Sequence, residues 1–566
     1  MLRKFKYIIP LAFAVALGSC SKEFFDINVD PNNPSTLPIN NLLPGIEKAM
    51  GDASAIGSSS DIEGNAISGI GEGLEVYVHR ITVREDPNAY GIKGNSSIVE
   101  PMWDTYYRAV LTNADIIINQ ATPAGNFKYA GIAKVIKAFS YSQLVDVFGD
   151  IPYSEANQLI GATPILNPKF DDDATIYPSL IQLIDDGIAD LTNTASNPLS
   201  PGGDDLIYNG SVTKWVKAAN TLKLKMYTQM RRTQDVSAAV TALLASPTTL
   251  INNTSENFQL PYSSVSRHPG YSEYIASQRT KDISPWFYEI LKGYNPNILT
   301  GVTDPRIPYY FFNQLPEGQD AVQDNNATEY RDGSFVSIYF GSNGEDQGRT
   351  QQNTMTVMGL YPIGGRFDDG QGGSVGQNSG TGAAPYRFIT YADRLYLEAE
   401  LIKTGVIPGD ARAKTMAAIT ESFKQVDAVV TLTGTPGVPV LTGSAGVTDY
   451  ITKVMASYDA NPGKQLEIIM TEKWISSFGN AVDAYTDYRR TGFPVLFDPN
   501  NPAMAPGGKV QPPIHGNPLL DPQKAVPVSL NVPYPLSLPW PTTELTSNKN
   551  APTQKVPSTY KVFWQP

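Results

Sequence analysis

The chain has 566 residues, with 43 Lys and Arg against 55 Asp and Glu, which gives a formal net charge of -12. Because a nucleic-acid binder needs a basic face to meet phosphates, this acidic balance argues against that class of partner. One cysteine excludes an internal disulfide, and three histidines far apart in sequence leave little for a His- or Cys-based metal site.

The N-terminus has the pattern of a secretory signal. Three basic residues precede an apolar run at residues 7–17, which is about half of what a membrane-spanning helix needs. The run ends in Leu17-Gly18-Ser19-Cys20, which looks like a lipobox, the signal-peptidase II site of bacterial lipoproteins. We therefore predict a signal peptide over residues 1–19 and lipidation of Cys20; the alternative is an ordinary signal peptide with a chance cysteine.

Processing at this site changes the charge of the protein. Removal of three positive charges leaves the mature chain near -15 (-12 minus 3). Attachment to a membrane would then depend on acyl chains, and not on attraction to anionic headgroups.

Helical periodicity dominates from about residue 40 to about residue 245. In residues 98–120, Trp103, Tyr107 and Leu111 recur at the spacing of an amphipathic helix. Similar patterns occupy residues 130–147, 176–191 and 212–230. Such paired helices suggest hairpins like those of tetratricopeptide (TPR) repeats, although no clean 34-residue period is present.

The pattern changes between about residue 250 and residue 385. Turns, aromatic residues and glycine dominate this loop-rich lobe, with one short helix predicted at residues 285–292. Residues 364–382 have almost no apolar content and predict a mobile loop.

Helices return between residues 386 and 492. A helical stripe covers residues 387–403, and a long helical region at 466–488 is expected to break near Gly479. The tail at 493–566 holds 16 of the 44 prolines, so it should wrap the body as extended chain and loops.

No sequence motif for catalysis is convincing. Residues 372–376 match G-x-S-x-G, but a nucleophile elbow needs a flanking strand and helix that this glycine-rich segment lacks. Residues 171–173 are three aspartates, which serve a helix N-terminus more often than a cation. Calcium at these residues or at Asp368-Asp369 stays possible, but no cofactor is predicted. A carboxylate pair for glycoside hydrolysis also stays open.

Several blocks resemble the SusD/RagB family of outer-membrane lipoproteins. Residues 148–156 (FGDIPYSEA) look like its "GD-PY-EA" signature, residues 386–400 resemble its "TYAE…EAE" helix, and residues 467–494 resemble its "EKW…RRTG-P" segment. Asp304-Pro305-Arg306 and the tail near Trp540 also fit. In the tail, residues 537–541 (SLPWP) depart from the common R-x-P-Y-P pattern, so contacts there cannot be transferred.

The resemblance implies a fold and a function. The fold is all-α dominated, with a TPR-like helical scaffold, a loop-rich variable lobe and a Pro-rich extended tail in one domain over residues 20–566. The function is to capture an oligosaccharide, or a peptide, at the cell surface and to deliver it to a SusC-like TonB-dependent transporter. Such proteins are not enzymes. The alternatives are a surface glycoside hydrolase and a structural or adhesive lipoprotein without a small ligand.

The resemblance transfers a site region and not individual ligand contacts. Flat aromatic faces suit the C–H faces of sugars, and planar polar groups suit their hydroxyls. Two loop segments combine both, although each residue could instead be an ordinary core or loop anchor. The predicted ligand-binding residues are Arg84, Asp86, Tyr90 and Asn95 in the first segment and Arg267, His268, Tyr271, Tyr274 and Trp286 in the second.

Overall fold

The computed structural model describes most of the chain after residue 36. The described ranges are 37–60, 66–83, 90–158, 163–195, 198–276, 279–319, 329–341, 353–498, 510–511, 524–525 and 532–566. The predicted signal peptide, Cys20, Arg84 and Asp86 lie outside them.

Helices make up most of the regular structure. The first half of the chain contains α1 (Ile39–Ser54), α2 (Gly71–Tyr77), α3 (Val99–Asp104), a π-helix (Thr105–Leu111), α4 (Thr112–Ala121), α5 (Phe127–Phe148), α6 (Asp173–Leu191), α7 (Val212–Met230), α8 (Ser237–Leu244), α9 (Ser272–Ile275) and α10 (Pro285–Lys292). The second half contains α11 (Ile307–Tyr310), α12 (Leu360–Ile363), α13 (Tyr391–Lys403), α14 (Ala411–Thr433), α15 (Ala445–Ala460), α16 (Gln465–Ser476), α17 (Ala481–Thr491) and α18 (Thr542–Ser547). Short 3-10 turns cover Pro247–Thr249, Thr254–Glu256, Pro269–Tyr271 and Pro462–Lys464.

The strands are short and form two-stranded antiparallel pairs. They are β1 (Ser58–Ser60), β2 (Ala66–Ser68), β3 (Ile81–Val83), β4 (Ile151–Pro152), β5 (Phe170–Asp171), β6 (Phe258–Leu260), β7 (Lys281–Ile283), β8 (Phe311–Phe312), β9 (Glu329–Asp332), β10 (Phe335–Ile338), β11 (Val357–Met358), β12 (Tyr386–Ile389), β13 (Val510–Gln511) and β14 (Lys524–Ala525). The pairs are β1–β2, β3–β7, β4–β5, β6–β12, β8–β11, β9–β10 and β13–β14.

The predicted all-α dominated, TPR-like fold is confirmed. The helix predicted at 212–230 has those bounds, and the one predicted at 285–292 does too. The long C-terminal helical region breaks between α16 and α17, where Gly479 has a φ of 99°. The helix start predicted at residue 387 is wrong: residues 386–389 are a strand, and the helix begins only after Thr390, which forms a capping box with Asp393. The segment predicted at 98–120 is divided by the π-helix, and the helix predicted at 176–191 begins at Asp173.

The antiparallel hairpin of α5 and α6 depends on two glycines at its crossing. A Cβ on Gly131 would lie 2.7 Å from the carbonyl oxygen of Gly187, and one on Gly187 would lie 3.2 Å from the carbonyl oxygen of Gly131. The backbones therefore approach more closely than any larger residue allows. Of the three aspartates, Asp172 is the helix cap that was predicted, because its side chain accepts a hydrogen bond from the amide of Ala174 at 2.9 Å. Asp171 instead accepts from the amides of Tyr153 and Ser154.

Buried charges connect α13, α16 and α17. Arg490 of the RRTG segment donates to both carboxylate oxygens of Glu400, at 3.0 and 2.6 Å, and to Asp487 at 2.8 Å. Lys473 pairs with Asp487 at 2.7 Å, and Arg231 pairs with Glu400 at 2.8 Å. The family-like EAE, EKW and RRTG blocks thus meet in one ion-pair network inside the scaffold, which explains their residue types without reference to a ligand.

Residues 532–566 of the Pro-rich tail pack across the end of α5. The amide of Leu538 donates to the carbonyl of Val147 at 2.8 Å, and Trp540 Nε1 donates to the carbonyl of Asp150 at 2.9 Å. The Arg489 guanidinium lies 4.9 Å from the ring centroid of buried Trp564. Apart from the short helix α18, this segment is the extended, loop-like chain that the prolines predict.

The glycine-rich segment 364–382 packs as an ordered loop, which differs from the predicted mobile loop. The amide of Glu317 donates to the carbonyl of Gly370 at 2.8 Å, and the amide of Gly373 donates to the carbonyl of Gln314 at 2.8 Å. Gly372, with a φ of 63°, passes so close that a Cβ would lie 2.5 Å from the amide nitrogen of Pro316. Its glycines therefore serve close backbone approach in addition to turning the chain.

Candidate functional site

Strand β3, which comes just before the first predicted site segment, pairs with β7, which lies within the second. β3 pairs with β7 in antiparallel register, with Ile81 opposite Ile283 and Val83 opposite Lys281. The residues that follow β7 and the residues before β3 therefore lie side by side on the loop-rich lobe. This long-range pairing is not visible in the sequence.

An aromatic pocket opens next to this strand pair. Its lining residues are Ser284, Pro285, Trp286, Glu289, Tyr339, Phe340 and Phe497, and we call this set the aromatic pocket. Trp286 sits in the first turn of α10, where Pro285 occupies the first helical position. Its Nε1 donates to the carbonyl of Val495 at 3.1 Å, and its ring lies 5.7 Å from that of Phe497.

Tyr90 adjoins this pocket from the first segment. Its hydroxyl lies 2.6 Å from Nε2 of His79, and both rings pack on Phe340, at 5.0 and 4.1 Å between centroids. Burial lowers the pKa of His79 to about 3, so the imidazole is neutral at pH 7. Tyr90 and Trp286, one from each predicted segment, therefore belong to one aromatic cluster.

The pocket is narrow and its one carboxyl group is uncharged at neutral pH. The free space between the described lining residues is about 10 Å³, which is room for a water-sized group. Burial raises the pKa of Glu289 to about 8. A protonated carboxyl donates a hydrogen bond as well as accepting one, so Glu289 suits a hydroxyl group more than a cation.

Tyr271 and Tyr274 lie in a different place. Both are almost fully buried, with 0% and 1% exposure, and their rings stack 5.0 Å apart. Arg267 covers Tyr271 at 4.9 Å from the ring centroid and also donates to the carbonyl of Gln377 at 3.2 Å. The Tyr271 hydroxyl accepts from the amide of Gly380 at 2.9 Å. This cluster holds the glycine-rich loop, and neither tyrosine lines the aromatic pocket.

The other two described candidates also lie outside the aromatic pocket. Asn95 is exposed, in the turn before α3. His268 is buried, and its Nδ1 accepts from the amide of Gly270 at 3.0 Å. Burial lowers the pKa of His268 to about 3, and the positive charges of Arg387 and Lys48 act in the same direction.

His268 makes stability depend on pH. Because its folded pKa lies near 3 and a free histidine titrates near 6.5, the unfolded chain gains a proton first as pH falls. Between pH 6 and pH 5, the free energy of unfolding therefore falls by about 1.4 kcal/mol per pH unit. We expect His268→Asn, whose side-chain oxygen can also accept from Gly270, to show a shallower loss in urea titrations. An equal pH dependence of the free energy of unfolding in the two proteins would contradict this. Above pH 7.5, that free energy should change with pH in the same way in both.

Sequence reasoning missed Glu289, Tyr339, Phe340 and Phe497 as pocket residues. The run Phe335 to Phe340 contains three aromatic residues in six positions, which was a usable signal for an aromatic surface. Phe497 could not have been assigned, because it follows the RRTG segment by a few residues and reaches the pocket only through the fold.

Among the described residues, one group of acidic side chains has metal-like spacing. Carboxylate atoms of Asp150, Asp172 and Asp173 lie within 4.8 Å of one another. Asp150 accepts from the amide of Asp173 at 3.0 Å, and Asp173 accepts from the amide of Phe563 at 2.9 Å. Burial, reinforced by its acidic neighbours, raises the pKa of Asp173 to about 7. These groups serve the start of α6 and the tail, so we assign no metal to them.

The fold is a helical scaffold with a loop-rich lobe that carries the aromatic pocket. Residues 48–513 match a SusD-like family model described as "Starch-binding associating with outer membrane". That match spans most of the chain, so the chain belongs to the SusD-like family. The family consists of non-catalytic carbohydrate-binding proteins, and this member is not an enzyme. No curated protein matches the chain.

Solved structures have the same fold. A chitin-binding protein is 19% identical with a TM-score of 0.63, covering 91% of this chain and 95% of that one. A SusD/RagB family protein from Bacteroides thetaiotaomicron is 20% identical with a TM-score of 0.60 and the same coverages. A chitin-binding SusD homolog from Flavobacterium johnsoniae is 18% identical with a TM-score of 0.53, covering 82% and 95%.

Proposed function

We propose that this protein captures an oligosaccharide on the surface around the aromatic pocket of the loop-rich lobe, with no more than a hydroxyl-sized group entering the pocket, and delivers it to a SusC-like TonB-dependent transporter. The observation that carries the proposal is the meeting of Tyr90 and Trp286 on one aromatic cluster, beside a neutral carboxyl group. Aromatic faces suit sugar C–H groups, and the protonated Glu289 suits a sugar hydroxyl. The starch-binding description of the family and the chitin-binding relatives support a glycan ligand.

Attachment at the outer membrane belongs to the same proposal. In the ranges that the structure describes, no helix is long and apolar enough to cross a bilayer. Acylation at Cys20 would supply the anchor, and the transporter would receive the ligand from the loop-rich lobe. Cys20→Ser should move the protein from the membrane fraction to the soluble fraction, whereas unchanged membrane retention would contradict lipid anchoring.

The ligand is tested by an array of glycans and peptides, which includes starch and chitin fragments. A peptide as the strongest binder would overturn the glycan assignment. Isothermal titration calorimetry with the strongest glycan then gives the affinity of the wild-type protein and its variants.

Trp286→Ala should weaken binding of that glycan ~10-fold or more, which is a loss of more than about 1.4 kcal/mol. The reason is that the indole lines the pocket and its Nε1 donates to the carbonyl of Val495, so alanine removes both the aromatic wall and this anchor. Val440→Ala, at a 66% exposed loop position, is the control and should bind as the wild type does. Equal affinities for Trp286→Ala and Val440→Ala would remove the aromatic pocket from the binding site.

A further inference from the structure

A second and much larger cavity lies on the helical scaffold. It runs between the π-helix and α18 and has a volume of about 480 Å³, within the ~300–1,000 Å³ typical of small-molecule sites. We call it the tail groove. It shares no lining residue with the aromatic pocket. We propose that the tail groove is a second binding site for a short, neutral oligosaccharide.

The aromatic side of the tail groove is held rigid. Trp103 and Tyr107 lie one helical turn apart, with ring centroids 4.8 Å apart, and Trp103 also packs on Phe148 at 5.1 Å. The Tyr107 hydroxyl donates to the carbonyl of Pro152 at 2.7 Å. Because these rings are already fixed, a ligand that packs on them does not have to order them.

The polar groups of the tail groove match hydroxyls and disfavour anions. Its lining includes the carboxylates of Glu100, Asp104 and Glu544 against one guanidinium, that of Arg108. Asp104 and Arg108 pair at 3.0 Å, and Glu544 accepts from Asn548 at 2.8 Å. The remaining negative charge would repel an acidic or sulfated sugar, whereas paired planar groups still bond neutral hydroxyls.

The backbone around the tail groove is unusual at two points. Tyr107 and Arg108 belong to a seven-residue π-helix, a rare conformation that is frequent at functional sites. Asn157, also in the lining, has a φ of 59°, and its side-chain oxygen accepts from Thr112 at 3.2 Å. Both departures from regular geometry lie on the walls of the same cavity. A scaffold with a purely structural role does not require them to coincide there.

A second site would change how the protein holds long chains. This inference rests on the proposed function, since it assumes that the ligand is a glycan. Two independent sites on one body raise the avidity for a polysaccharide that reaches both, without any new contact. A short oligosaccharide, in contrast, would occupy each site separately.

The test uses maltoheptaose and chitohexaose as probes in titration calorimetry. Wild-type protein should bind one of them at two sites, and Trp286→Ala should retain binding at one. Adding Leu166→Asp to Trp286→Ala should then reduce the remaining affinity at least ~10-fold. Leu166 is 72% exposed and lines the tail groove, so this change removes apolar surface without disturbing the core.

The control is Leu432→Asp in the Trp286→Ala protein, at a 51% exposed position on α14 outside the groove; it should leave the remaining affinity unchanged. No remaining binding in Trp286→Ala, or remaining binding that Leu166→Asp does not reduce, overturns the tail groove while leaving the proposed function intact. A wild-type protein that binds neither probe and no glycan on the array overturns both.

Discussion

Arg490→Met should lower the free energy of unfolding by about 3–5 kcal/mol, because it removes the cation from a buried ion-pair network and leaves the carboxylate partners buried. Arg490 and Glu400 are both 0% exposed. The change leaves Glu400 with Arg231 and leaves Asp487 with Lys473, so two carboxylates keep only half of their cationic partners. Methionine fills part of the volume but donates no hydrogen bond. Urea unfolding followed by circular dichroism measures the loss.

Arg412→Met is a matched control for this prediction. Arg412 also makes a two-pronged contact with a carboxylate, that of Asp459 at 2.7 and 2.8 Å. Both side chains are about half exposed, at 44% and 50%, and solvated pairs of this kind contribute little. The contrast isolates burial from ion-pair geometry. If both variants lost the same small amount of stability, the network would not be what holds α17 to α13.

The helical scaffold could be predicted from sequence because its information is local. Apolar spacing and helix-terminal residues set the bounds of α7 and α10, and the Gly479 break could be read directly. The strand β12 could not, because its pairing partner β6 lies more than a hundred residues away. The apolar spacing in residues 386–389 fitted a helix equally well, and the long-range pairing determined the outcome.

The candidate site was harder to predict for the same reason. Composition marks Tyr90, Tyr271 and Trp286 alike, as aromatic residues in turn-rich chain. The β3–β7 pairing brings the neighbourhoods of Tyr90 and Trp286 together, whereas Tyr271 is covered by the glycine-rich loop. Hydrophobic and polar counts cannot distinguish an aromatic residue that holds a loop from one that lines a pocket. The assignment of ligand contacts therefore stays a prediction that binding measurements must test.

The glycine-rich loop at residues 364–382 is ordered, although its sequence predicts motion. Low apolar content predicts motion, because such a segment buries little surface of its own. Here neighbouring segments supply the order, through backbone hydrogen bonds with Glu317 and Gln314 and through the Tyr271 hydroxyl. Glycine is needed at Gly372 because the loop passes against Pro316. A residue that looks like a flexible spacer in sequence is thus a packing requirement in the fold.

Two glycines inside helices should respond to the same substitution with opposite signs. Gly131→Ala in α5 places a methyl group 2.7 Å from the carbonyl oxygen of Gly187 and 2.9 Å from the amide nitrogen of Leu191. Both neighbours are backbone atoms of α6 and cannot rotate away, so the hairpin has to separate. We expect a loss of about 1–3 kcal/mol of unfolding free energy, as for other overpacked cores.

Gly45→Ala in α1 is the opposite case, since a Cβ there meets nothing within 4 Å. Alanine restricts the unfolded chain and favours the helix, so this variant should gain about 0.5–1 kcal/mol. Urea unfolding of both variants separates two effects. The change in helix propensity is common to both, whereas the close approach of α5 and α6 depends only on Gly131. Stabilisation by both substitutions would mean that the α5–α6 crossing tolerates a methyl group, and that close glycine contact does not set the geometry of the hairpin.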